Sequence, residues 1–103
     1  MALFPTQGNG HPAEPLQYIR SYLALAIQIG APAYNLGDHR GCYEVYACTA
    51  RMLLAGVKGA DEARRALREA LEQCSTQVDV NEMAWIMRHA FDAILGEPGP
   101  GTH

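Results

Sequence analysis

Cys42 follows His39 by three residues and Asp38 by four, so a thiol, an imidazole and a carboxylate gather at one helix start. Such a set could run thiol chemistry. The positive end of the helix dipole, with His39 or Arg40 close by, would lower the Cys42 pKa, and Asp38 or His39 could orient the thiol or accept its proton. Asn35 adds an amide to the same neighbourhood. A plainer reading makes Cys42 the small residue of a tight helix crossing and Asp38 a helix cap. It carries more weight, because one thiol beside one imidazole is a common coincidence. No catalytic residue is assigned.

His39 and Cys42 also form an H-x-x-C pair, but a metal site needs several converging ligands. On helical spacing Cys48 points toward Glu44 and Arg51, Cys74 lies on a core face, and His89 lies on a polar face. No metal and no cofactor is therefore expected. Tyr18, Tyr22, Tyr34, Tyr43 and Tyr46 all fall in the first half of the chain. They read as a core layer with hydroxyls at its rim, or as a groove in which Tyr34, Tyr43 and Tyr46 meet a partner. Trp85 stands out differently. Helical spacing puts it in a polar arc with Arg88, His89 and Asp92, opposite Met83, Met87 and Phe91, and a tryptophan facing solvent marks a candidate interface anchor.

Four helices are predicted to position these residues, in an all-α fold of antiparallel hairpins or a four-helix bundle. The first opens at Pro15, a residue suited to a first turn, and runs to Gly30. Pro32 predicts a break or kink there, followed by one more turn through Leu36. Asp38 caps a second helix that ends near Gly56. Asp61 to Ser75 is the clearest amphipath, with Ala63, Leu67, Ala70 and Cys74 inward. The last helix opens at Asp79 with a variant capping box through Glu82 and stops at Gly96. The first two helices are apolar around most of their circumference, which predicts that they form the centre of the fold or of an oligomer.

Gly30, Tyr34, the Gly37-Asp38 pair, Cys42 and Tyr46 are spaced like the helix–turn–helix of a tetratricopeptide repeat, and the segment 16–56 resembles that family. The resemblance implies helical-hairpin packing and a habit of binding proteins or peptides. Pro32 departs from the family pattern by falling inside its first helix, and no second copy follows at the repeat period.

Composition narrows the function classes. The 103 residues leave room for one domain, read as 15–95, between tails 1–14 and 96–103 rich in Gly and Pro. A net charge of −3 with a single lysine gives no basic footprint, so no nucleic acid is expected. No apolar run reaches the ~18–20 residues that span a bilayer, and no membrane is expected. Three cysteines without compact spacing, and a start without a basic flank, point to the cytoplasm. His11 and His103 sit in the tails, and Leu3 and Phe4 could dock on the body. The expected function is a small helical protein–protein interaction module, binding a protein partner or forming a homo-oligomer through Trp85, Arg88, His89, Tyr34, Tyr43 and Tyr46. The alternative is a ligand-binding or thiol-redox protein centred on Cys42, His39 and Asp38.

Overall fold

The computed structural model describes residues 14–96; of the tail assignments, Glu14 instead opens the first helix and Gly96 caps the last, and the rest, with His11, His103, Leu3 and Phe4, lie outside them. Four helices follow in order: α1 Glu14–Asn35, α2 His39–Gly56, α3 Asp61–Cys74 and α4 Val80–Leu95. There is no strand among the described residues. No helix among them is long and apolar enough to cross a membrane. The all-α arrangement of hairpins is as predicted.

The expected break at Gly30–Pro32 is absent: α1 runs through Pro32 to Asn35. Pro32 stands on the exposed side, three residues before the helix end. Its missing N–H and its ring affect only the turn that begins at Gln28, which solvent can reach. The helix then closes in a Schellman motif. Asp38 N–H donates to Ala33 O at 2.9 Å and Gly37 N–H to Tyr34 O at 2.9 Å. Gly37 takes φ +96°, which a side chain would resist. Asp38 caps α2, its carboxylate accepting from Gly41 N–H at 2.9 Å. Asp79 caps α4 by accepting from Asn81 N–H at 2.9 Å.

α1 and α2 form the first hairpin, α3 and α4 the second, and α4 also packs on α2. The core runs along α2 and α4: Tyr46, Leu53, Met87 and Phe91 are fully buried, with Ile19 and Leu23 from α1 and Leu67 from α3. The closest approach is between α1 and α2, where the Tyr46 ring lies on the bare backbone of Gly30. A Cβ at position 30 would stand 2.6 Å from Tyr46 Cε1. On its other side Tyr46 leans against Phe91, ring centroids 5.1 Å apart.

The centre of the fold is therefore α2 with α4, and α1 is not wholly inside. Ile19, Leu23, Ala26 and Gly30 are its buried residues. Leu25 is 49% and Ile29 54% exposed, and Leu36 just past its end is 88% exposed. The apolar circumference of α1 predicted burial on more than one side, but its packing is mainly against α2 and α4.

Two neighbouring substitutions should have opposite signs. Gly30→Ala forces a methyl into the Tyr46 ring and should cost about 1–3 kcal/mol, lowering the melting temperature by roughly 5–15 °C. Pro32→Ala restores a helix donor at an exposed site and should gain about 1 kcal/mol. Thermal unfolding followed by circular dichroism checks both.

Candidate functional site

The residues singled out by type and spacing separate into two places, one buried and one at the surface. The buried one lies where α1, α2 and α4 meet. Cys42 and Tyr46, one turn apart on α2, are both fully buried. Burial pushes the Cys42 thiol up from its ordinary value, offset only in part by its hydrogen bond to Tyr46 and by the charge of Arg88. Burial, then the Cys42 hydrogen bond, hold the Tyr46 phenol well above its ordinary range, against the opposing pull of Arg88. The helix start was expected to lower the Cys42 pKa. The structure reverses that sign, because removing a thiolate from water costs more than one helix dipole returns.

Of the other members of the proposed thiol site only Asp38 acts on Cys42, and its charge pushes the thiol further up. Asp38 is exposed and occupied by its cap, and Asn35 is exposed at the end of α1. His39 turns away to stack on Tyr34, centroids 4.2 Å apart and planes 24° from parallel. Cys74 is buried with its Sγ donating to Met83 O at 3.4 Å, while Cys48 is exposed. Burial raises the Cys74 pKa as well. Among the described residues, no group of three or more His, Cys, Asp or Glu is placed to hold a metal.

Arg88 and Asp92, expected on a solvent face, are 8% and 3% exposed. Arg88 Nε donates to Asp92 Oδ1 at 3.1 Å, an i,i+4 ion pair inside the protein. Arg88 Nη1 and Asp92 Oδ2 are buried with no hydrogen-bond partner. α2 and α1 close over them together. Arg88 acts on Cys42 and Tyr46 of α2. α1 runs antiparallel along α4, with Arg20 Nε donating to Ile94 O at 2.9 Å at one end and Tyr34 meeting Asn81 and Trp85 at the other. The arc of α4 these two helices cover is the arc that carries Arg88 and Asp92. A signal for Arg88 was present in the sequence: it lies about 40° from Ala84 on the helical wheel, at the edge of the apolar arc. Nothing in the sequence marked Asp92 as its companion in burial, or Asn81 as a partner of Tyr34.

The surface place is the Tyr34 end of this seam. Tyr34 Oη donates to Asn81 Oδ1 and accepts from Trp85 Nε1 at 2.9 Å. The Tyr34 and Trp85 rings meet edge to face, centroids 5.8 Å apart at 74°. His89, which is exposed, leans on Trp85 with centroids 5.6 Å apart. Trp85 is thus half-buried against its own chain and does not stand out into solvent as expected. Its ring and N–H are used to hold α1 to α4. Of the residues expected at a partner surface, Arg88, Tyr43 and Tyr46 are buried and cannot touch one. Tyr34, Trp85 and His89 keep some exposure. A shallow cleft of about 430 Å³ lies at the opposite end of the seam, between Leu16, Arg20, Asp61, Glu62 and Ile94, away from both places.

Comparison with family models, with curated proteins and with solved structures returns no match. The functional reading therefore rests on this chain's own residues.

Two outcomes follow. Arg88→Met leaves the Asp92 carboxylate buried without a cation and should cost about 3–5 kcal/mol, whereas Arg88→Met with Asp92→Leu should recover most of the loss. Urea unfolding of the three proteins measures this. A thiol reagent at neutral pH should modify Cys48 at once, and Cys42 and Cys74 only as fast as the protein opens.

Proposed function

We propose that this protein is a helical interaction module that docks another polypeptide on the outer side of α1, and that it has no catalytic role. The observation that carries the reading is the exposure of Leu25, Ile29 and Leu36 along a single helix face. Single exposed aliphatics are ordinary, but several aligned on one face are what a partner covers. The resemblance of 16–56 to a tetratricopeptide hairpin supports the same habit, since Tyr46 on Gly30 supplies the close helix crossing such a hairpin needs. Tyr34, Trp85 and His89 form an aromatic rim at one end of α1. They contribute to docking from the side, secondary to α1.

A redox role for Cys42 is disfavoured by its burial and raised pKa. The described cysteines are all free thiols, which suits a reducing compartment such as the cytoplasm. The mild acidity of the chain gives no reason to add a nucleic acid to its partners.

A photo-crosslinking amino acid at position 29 tests the reading inside the source cell. A discrete polypeptide adduct is expected there and not at exposed position 68 on α3, and Leu25→Glu should suppress it. Equal yields from the two positions, or no adduct at position 29, would sink the proposal.

A further inference from the structure

We infer that the polypeptide docked on α1 is a second copy of this chain, lying antiparallel across a two-fold axis. This rests on the interaction reading above and names its partner. Tyr18, Tyr22, Leu25, Ile29, Pro32 and Leu36 follow one another at intervals of four, three, four, three and four. At 3.6 residues per turn they share an arc of about 80° and a length of about 27 Å. Leu36 belongs to the stripe although it follows Asn35, because its N–H still donates to Pro32 O at 3.0 Å and keeps the turn going. Tyr18 and Tyr22 are half-buried, and the other four are exposed.

The order of intervals reads the same from both ends, and that sets a register. With the axis beside position 27, Leu25 meets Ile29 of the second copy, Tyr22 meets its Pro32, and Tyr18 meets its Leu36. Each half-buried tyrosine then faces an exposed position of the other copy. Every contact occurs twice, as an isologous interface requires. A parallel pairing would instead stack Pro32 on Pro32 and Leu36 on Leu36, and align the two helix dipoles.

Charge points to the same occupant. Between residues 15 and 35 the only ionic side chain is Arg20, whose Nε is held by Ile94 O. The face therefore has nothing to repel its own copy and nothing to select an acidic or basic partner. Its flank is neutral too, made of Gln17, Ser21 and Gln28. Residues 97–103 contain no large apolar side chain, and those of 1–13 are Met1, Leu3 and Phe4, the competing cover that the test below separates. A stripe about 27 Å long and one helix wide, covered on both copies, removes roughly 1,000 Å² from water. That is the lower end for a specific interface, so a dimer in the micromolar range is expected.

Sedimentation equilibrium of the full chain tests the assembly. A reversible monomer–dimer equilibrium at micromolar concentration is expected, with Leu25→Glu or the milder Leu25→Ala weakening it at least tenfold while circular dichroism stays unchanged. Register is read by disulfide trapping in a Cys48→Ser background. A mixture of the Leu25→Cys and Ile29→Cys chains should give mainly the mixed disulfide, and a predominance of like-with-like disulfides overturns the antiparallel register. A wild-type chain that stays monomeric to millimolar concentration overturns the second copy. If the cellular adduct at position 29 persists in that case, the partner is a foreign polypeptide or residues 1–13 of the same chain, which adduct mass separates. Only a foreign one leaves the interaction reading standing.

Discussion

The contact of the Tyr46 ring with the bare backbone of Gly30 sets the spacing on which the rest of the protein depends. It lets α1 approach α2 more closely than any side chain at position 30 would allow. From there Tyr46 reaches Phe91 and positions α4 against the same hairpin. α1 then lies along α4 at a distance where Tyr34 can join Asn81 and Trp85, and Arg20 can reach Ile94. One missing Cβ is thus linked to a three-helix junction.

That junction explains why a polar arc went inside. Once α1 and α2 cover the side of α4 that bears Arg88 and Asp92, neither group has water, and each is tolerable only beside the other. A buried ion pair of this kind adds little net stability over an apolar pair of the same volume. It does penalise arrangements that separate its members, as slippage of α1 along α4 would not, but unwinding of α4 would. The thiol of Cys42 and the phenol of Tyr46 share the same dry surroundings, which keeps both protonated and unreactive.

The same geometry leaves α1 half covered. It packs mainly against two helices, and a helix needs more neighbours than that to bury an apolar circumference. Its inner side is satisfied by the hairpin and the seam with α4. Its outer stripe is not, and that imbalance gives the interaction reading its physical basis. Trp85, the most conspicuous residue of the sequence, serves the inside of the molecule; Leu25 and Ile29, ordinary residues in the first helix, face out.

Four helices, their caps at Asp38, Asp79 and Gly96, and the inward face of α3 were legible in the sequence, because these depend on spacing within a turn or two. The break or kink expected at Gly30–Pro32 does not interrupt the helix, which closes at Gly37, since a proline in the last exposed turn removes too little to end it. The candidate site was less legible. Local pattern identified Tyr34 and Trp85 as notable but could not show that they meet, with fifty residues of chain between them. It read Arg88 as solvated, and the fold inverts that. By itself the sequence determined which residues are helical and which side of each helix is the greasier. Only the tertiary structure decided which sides are covered, because coverage depends on where the neighbouring helices lie, and here a glycine placed α1 over the polar side of α4.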